Sequence, residues 1–547
     1  MLAVAHPLAA DAGLAVLRQG GAAVDAAIAV QAVLTVVEPQ SSGIGGGALL
    51  LHWDAAARRL SAWDGREVAP ASATPELFLR DGKPMRFHDA AVGGRAVGVP
   101  GALRMLEAAH RAHGRMPWPR LFEAAISLAE EGFAVSPRLA ATIAREAERL
   151  GRDPGARSLF LLPDGSPLPA GHRLRSPELA ATLRAVAEGG ADALHRGPIA
   201  AAIAGAVRAH SNAGGMAEDD LAGYAPVRRE ALCAPYRVFT VCGFPPPSSG
   251  GVATLQILAF LAHQDMPGLA PGRTGHGPVQ ALDAAHLLGE AGRLAFADRN
   301  RFLTDADAVS VPVRGLLDPA YLLARAQLLD RDRATTPLRS GNPPWGPSAP
   351  PSSQPPQPEN GTSHLSIVDE AGNAVALTTT VEDAFGSRMV VRGMVLNNQL
   401  TDFSFLPEIG GRPVANAVAP GKRPRSSMSP TIVFWADGAP AAVLGSAGGS
   451  RIIGHVAQTL VAMLDWGLDP QDAVALPRIG ARDAVVELEA GTSAASLADG
   501  LRERGVPVEI RVNASGLQAI WIERRPDGAR RLLGGADPRR EGVAVGD

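Results

Sequence analysis

Gly361-Thr362-Ser363-His364-Leu365-Ser366-Ile367-Val368-Asp369 begins where a segment unlike the rest of the chain ends. Ser340 to Gly361 is dense in Pro, Ser, Gly and Gln and has almost nothing apolar to bury, so it reads as an exposed, extended or disordered stretch. Composition alone fits a plain interdomain linker. From His364 the pattern changes: His364–Asp369 and Ala374–Thr380 are strand-like runs joined by Glu370-Ala-Gly-Asn373, a good hairpin turn. Thr362 thus stands at the head of a first strand, with a small Gly361 on its acyl side. A threonine hydroxyl is a weak nucleophile and needs a base. Breaking the bond before Thr362 frees an α-amine beside the hydroxyl, with a pKa near neutral and suited to proton transfer. Spacing by itself leaves this self-cleavage as one reading among several. His364 reads as a structural residue on one face of its strand.

Working outward, Val390–Leu396, Thr431–Trp435 and Ala441–Leu444 add strands, and Gly454–Trp466 a helix. Towards the N-terminus, residues 8–37 read as two helical segments separated by Gly20-Gly21 and ended by Pro39. Gly43-Ile-Gly-Gly-Gly47 then leads into a strand, Ala48 to Trp53. These glycines follow a helix and precede a strand, the reverse of a dinucleotide fingerprint, and read as close-packed backbone. The middle of the chain is mostly helical by period, as at Leu103–His110, Trp118–Glu131, Pro177–Glu188 and Val279–Phe296. Tyr236–Val241 reads as a strand, closed by Pro245-Pro-Pro-Ser-Ser-Gly-Gly251.

The 547 residues are 46 % hydrophobic and 20 % charged, the balance of an ordinary globular protein. A formal net charge of −3 gives no electrostatic reason to expect nucleic acid or an anionic membrane as partner. There is no His-Glu-x-x-His, Cys-x-x-Cys, Walker loop or Gly-x-Ser-x-Gly, so neither a metal nor an organic cofactor is implied. Cys233 and Cys242 are the only cysteines; they read as two buried free thiols, with one bridge between them as the alternative. The N-terminus as written lacks a basic start and an apolar run, which predicts a cytoplasmic protein. If that N-terminus is incomplete, a periplasmic location follows instead.

The run Gly361–Asp369 resembles the start of the small subunit in the gamma-glutamyltransferase family. So do Leu396-Asn-Asn-Gln-Leu-Thr-Asp-Phe-Ser404, Lys422-Arg-Pro-Arg-Ser-Ser-Met-Ser-Pro430, Gly445-Ser-Ala-Gly-Gly-Ser-Arg451 and Ala536-Asp-Pro-Arg539. The first half resembles the large subunit through Gly20–Ala27, Asp64-Gly-Arg-Glu-Val-Ala-Pro70, Pro245–Gly251 and Ala295-Phe-Ala-Asp-Arg299. The resemblance implies an α+β fold, the four-layer αββα sandwich of N-terminal-nucleophile hydrolases. It implies cleavage into a large fragment, 1–361, and a small one, 362–547, which stay together as a heterodimer. The activity implied is γ-glutamyl amide cleavage on glutathione-like compounds through a threonyl acyl-enzyme. The alternative is a related acylase acting on another carboxylate-bearing amide, of glutaryl-cephalosporin or oxamate type.

Residue by residue, the resemblance makes Thr362 the self-processing residue and nucleophile and Thr380 its hydrogen-bonding partner. Gly448 and Gly449 would offer N–H groups to the oxyanion. Arg66 would clamp the substrate carboxylate with its planar fork, helped by the hydroxyls of Ser426 and Ser427. Gln399 and Asp402 would accept from the substrate ammonium. Two features depart from the pattern. Glu382 stands where many members carry Asn, and a carboxylate there still receives an ammonium. The segment between Ser404 and Ala415 is short and lacks a tyrosine, which predicts an open site that favours hydrolysis over transfer.

Overall fold

The computed structural model describes residues 1–274, 277–358, 361–513, 515–525, 527 and 529–547. The long apolar runs pair into two sheets, one of seven strands and one of six. In chain order their strands are β1 (Leu2–Val4), β2 (Gly47–Asp54), β3 (Arg59–Gly65), β4 (Val227–Arg229), β5 (Leu232–Tyr236), β6 (Phe239–Gly243) and β7 (Ser363–Val368). There follow β8 (Ala374–Thr380), β9 (Thr431–Trp435), β10 (Pro440–Gly445), β11 (Gln518–Arg524), β12 (Arg530–Ala536) and β13 (Val543–Val545). The first sheet runs β13-β1-β7-β8-β2-β3-β4 and the second β12-β11-β10-β9-β6-β5.

Burial on both faces explains why β2 is near-continuously apolar, and β7 and β8 are buried along their whole length, their Ser, His and Thr residues included. Leu50, Leu365, Ile367 and Leu377 turn to one side, against helices α1 (Pro7–Arg18) and α2 (Ala23–Val37). Leu49, Leu51, Ala374 and Ala376 turn to the other, against Val443, Leu444 and Ile520 of the second sheet. Helices α3 (Gly250–Leu261) and α5 (Ile452–Leu464) cover the far face of that sheet, and α4 (Leu282–Phe302) packs on α3. The result is the αββα sandwich expected. Pro7 opens α1 with the His6 ring accepting from Leu8 N–H, and Gly20, at φ +86°, turns the chain back into α2.

The hairpin expected at 370–373 forms, with Ser363 opposite Thr379 and Val368 opposite Ala374. It slots between strands from the far end of the chain: β1 lies beside β7, and β2 beside β8 with Gly47 opposite Thr380. Gly45 and Gly46 are close-packed backbone as read; a Cβ on either would lie 2.3 or 2.1 Å from a carbonyl oxygen of Val395 or Thr380.

Several expectations need correcting. The cysteines are not free thiols but a disulfide: β5 and β6 form a hairpin that sets Cys233 opposite Cys242, their Cα atoms 4.1 Å apart. Cys233 is exposed rather than buried. The same hairpin splits the strand read at Tyr236–Val241, because Arg237 takes φ 55° at its turn. Val390–Leu396 is likewise two short strands, Val390–Val391 and Met394–Val395, around Arg392-Gly393 at φ 52° and 76°. Trp118–Glu131 opens as a 3₁₀ turn, Trp118–Phe122, before the α-helix Glu123–Glu131. The Pro/Ser-rich segment is not wholly exposed. Gln354 is buried, accepting from Asn416 Nδ2 at 2.9 Å, and Ser352 N–H donates to Pro413 O at 2.9 Å. Residues 359 and 360 of that segment lie outside the described residues.

Candidate active site

Thr362 sits where β7 begins, and its backbone is held from several sides. Its N–H donates to Ser41 O at 3.2 Å, and its carbonyl accepts from Arg540 Nη1 at 2.7 Å. The preceding carbonyl, Gly361 O, accepts from Gly448 N–H at 3.3 Å. Gly361 takes φ +63° and Thr362 φ +91°. The second value is costly for a β-branched residue, about 1–3 kcal/mol, so strain sits at the bond on which the sequence points to cleavage. At Gly361 a Cβ would lie 1.9 Å from Glu382 O, so the close approach excludes any side chain in this conformation.

The hairpin register brings the end of β8 to the head of β7. Thr362 Oγ1 is accordingly 3.3 Å from Thr380 Oγ1, and Thr380 Oγ1 also accepts from Glu382 N–H at 2.8 Å. Gly448 and Gly449 follow β10 with φ +130° and +61°. They lead through a 3₁₀ turn, Gly449–Arg451, into α5. Their amides therefore lie at a helix N-terminus, where unpaired N–H groups and the helix dipole favour negative charge.

Arg66 follows β3 and is buried. Its Nε donates to Pro424 O at 3.1 Å and its Nη2 to Arg425 O at 3.0 Å, and it pairs with Asp402. One guanidinium thus ties the Asp402 turn to the strand-like segment that presents Ser426 and Ser427. Gln399 Nε2 donates to Asp402 Oδ2 at 2.7 Å, while Gln399 Oε1 is buried with no hydrogen-bond partner among the described residues. Glu382, at φ +83°, accepts from Asn398 and, at 3.3 Å, from Thr401 Oγ1. Ser427 Oγ accepts from Arg299 Nη2 at 2.5 Å, and Ser426 Oγ from Met428 N–H at 3.1 Å.

These side chains converge on one cleft, lined by Arg66, Thr362, Thr380, Glu382, Gln399, Asp402, Ser426, Ser427, Met428, Gly449 and Ile452. Gly448 joins it through its contact with Gly361. A hydroxyl, a paired hydroxyl, backbone donors at a helix start, a guanidinium and two carboxylates therefore line one cleft.

The family model described as gamma-glutamyltranspeptidase matches residues 9–547. The chain belongs to the gamma-glutamyltranspeptidase family. The glutathione hydrolase proenzyme of Bacillus subtilis strain 168 is 36 % identical over 568 aligned residues, covering 100 % of this chain and 91 % of that protein. The acylase ACY 1 proenzyme of Pseudomonas sp. strain SE83 is 37 % identical over 558, covering 100 % and 93 %. The crystal structure of cephalosporin acylase from Bacillus halodurans superposes with a TM-score of 0.82 at 29 % identity, covering 99 % of this chain and 94 % of that one. Both transpeptidase-family activities, glutathione hydrolase and acylase, thus stand at similar distance.

Other residues around Thr362 escaped the sequence reading of this transpeptidase-family chain. Glu38 is buried beneath it, paired with Arg138 and accepting from Ser363 Oγ at 2.7 Å. Glu67, next to Arg66, is fully buried; burial pushes its carboxyl up to about 8, outweighing Arg66 Nη1 at 3.7 Å. Its place in Asp-Gly-Arg-Glu-Val-Ala-Pro was the available signal. Arg540 lies one residue beyond the Ala536–Arg539 block, so only its adjacency hinted at it. His364 is structural as expected: its ring meets Thr378 Oγ1 at 2.8 Å and Ser366 Oγ at 3.1 Å, and burial lowers its pKa to about 3. Among the described residues, no helix is long and apolar enough to cross a membrane.

Proposed function

We propose that this chain splits itself between Gly361 and Thr362 and that the freed Thr362 then cleaves γ-glutamyl amide bonds of glutathione-like compounds. The observation that carries this reading is the single cleft in which Thr362 meets Arg66, Glu382, Gln399, Asp402, Ser426 and Ser427. In the first stage Thr362 Oγ1 attacks the Gly361 carbonyl, whose oxygen lies on Gly448 N–H. The C–N bond breaks, an ester forms, and the α-amine is released with the proton. Water then hydrolyses the ester, leaving a Gly361 carboxylate and a free N-terminal threonine. Fragments 1–361 and 362–547 stay together because β7 and β8 are interleaved between β1 and β2 in one sheet.

In the second stage the α-amine takes the proton from Thr362 Oγ1, with Thr380 orienting the hydroxyl. Arg66, Ser426 and Ser427 receive the substrate α-carboxylate; Glu382, Gln399 and Asp402 receive its α-ammonium. This places the side-chain amide over Thr362 and its oxyanion against Gly448 and Gly449. The amine leaves, and water resolves the acyl-enzyme; the short 404–415 segment favours water over an acceptor amine. The Cys233–Cys242 bridge fits folding in an oxidising compartment outside the cytosol.

A second reading, an acylase for carboxylate-bearing amides without the α-amine, is favoured by the 37 % identity to the Pseudomonas acylase proenzyme. Purified split protein given γ-glutamyl p-nitroanilide beside its glutaryl analogue separates the two. Turnover of the γ-glutamyl compound alone supports the proposal; equal or faster turnover of the glutaryl compound replaces it with the acylase.

A further inference from the structure

We propose that Arg540 is a positioning residue: it pins the Thr362 backbone for scission and afterwards holds a positive charge beside the freed α-amine, keeping that amine in its basic form at neutral pH. The proposal rests on the reading of Thr362 as an N-terminal nucleophile.

The side chain is built into its place. Arg540 Nη1 donates to Thr362 O at 2.7 Å, so the guanidinium stands within one residue's span of the nitrogen that cleavage would free. Gly516 leaves the slot its stem runs through: a Cβ there would lie 2.8 Å from Arg540 Cδ and 2.9 Å from Nε. Gly516 O in turn accepts from Ala447 N–H at 3.3 Å, on the loop that presents Gly448. Arg540 is therefore wedged between the nucleophile and the oxyanion loop. With Ser41 O on the Thr362 N–H and Gly448 N–H on Gly361 O, it completes a three-point clamp on the peptide whose positive φ values need external support. Burial lowers the guanidinium's own pKa to about 9, which still leaves it charged at neutral pH.

Other charges face the same amine. Glu38, under β7, is balanced by Arg138, and Glu541 accepts from Arg138 N–H at 3.1 Å. Asp537 is engaged by Ser515 and Arg539 and lies 3.8 Å from Arg478. His455, beside Gly448, is neutral because burial holds its pKa well below the usual value. Across the cleft, Glu382 and Asp402 favour the ammonium, Asp402 being paired with Arg66, while Arg299 points to Ser427. The cleft carboxylates thus pull the amine towards its charged form, and Arg540 opposes them as a like charge.

The test is the pH profile of kcat/KM for γ-glutamyl p-nitroanilide, together with the rate of splitting, in wild type, Arg540→Gln and Arg540→Lys. Losing the charge moves the acid limb up by about one unit, lowering kcat/KM near pH 6.5 by roughly tenfold, whereas Arg540→Lys keeps the limb in place while splitting more slowly. An acid limb in Arg540→Gln at the wild-type position overturns the proposal. If Arg540→Gln stays unsplit, Arg540→Lys decides: splitting with a wild-type limb supports it, and failure to split or a limb displaced by a unit overturns it. A Thr362→Ala chain that still splits would instead sink the reading of Thr362, so the two failures are distinct.

Discussion

Arg66→Lys tests the carboxylate clamp without removing its charge. The guanidinium reaches Pro424 O at 3.1 Å and Arg425 O at 3.0 Å, pairs with Asp402, and still lines the cleft. With Nε on Pro424 O and Nη2 on Arg425 O and Asp402, the Nη1 end is what remains for a substrate carboxylate; an ammonium cannot hold the serine segment and Asp402 and reach the substrate as well. One charge-assisted hydrogen bond to the substrate is then lost, about 1.5–3 kcal/mol, or roughly 10- to 150-fold in kcat/KM. Because the carboxylate lies away from the reacting carbonyl, the bond exists in ground and transition states alike and the loss appears chiefly in KM. The assay is steady-state kinetics on γ-glutamyl p-nitroanilide and on 4-aminobutyryl p-nitroanilide, which lacks the α-carboxylate. Wild type should discriminate strongly between them and Arg66→Lys much less. Splitting before Thr362, which does not use the clamp, should proceed normally. A KM within threefold of wild type, or an unchanged preference for the carboxylate, would refute the reasoning.

Two further outcomes concern stability. Burial holds the His364 and His52 rings at pKa about 3, far below their value in the unfolded chain. The unfolded state therefore takes up protons first, so the stability is present above about pH 6.5 and lost as pH falls towards 3, about 2 kcal/mol per ring at pH 5. Thermal melts at pH 7.5 and 5 should show this fall; His364→Gln should reduce it by about 2 kcal/mol, leaving the part due to His52, and a wild-type slope in that variant contradicts the account. The Cys233–Cys242 bridge closes a loop of sequence separation 9, so Cys233→Ser with Cys242→Ser should cost about 2–3 kcal/mol in denaturant melts. A double variant as stable as wild type would show that the hairpin holds without the bridge.

Much of the fold and cleft was legible because the deciding residues stand in long local blocks. Thr362 heads a strand-like run visible by itself, while Thr380, Gly448, Gly449, Arg66 and Ser426 were legible through the resemblance of the blocks around them to the family. What sequence hid depended on partners far along the chain. Val390–Leu396 is apolar enough for one strand, but Arg392-Gly393 turns it into a hairpin. Cys233 and Cys242 pair because a turn at Arg237 sets them face to face. Gln354 looked like linker, yet it is buried against Asn416. Arg540 reaches Thr362 because β13, β1 and β7 are neighbours in one sheet, and Glu38 reaches Ser363 because α2 packs on β7, arrangements that no local period encodes.

The most direct measurement is intact mass and N-terminal sequencing of purified wild type and Thr362→Ala. The account predicts that wild type yields two associated fragments, the smaller beginning Thr362-Ser363-His364, while Thr362→Ala remains a single 547-residue chain with no anilide turnover. A Thr362→Ala chain that splits at the same bond, or a wild type that turns over substrate while unsplit, would contradict it.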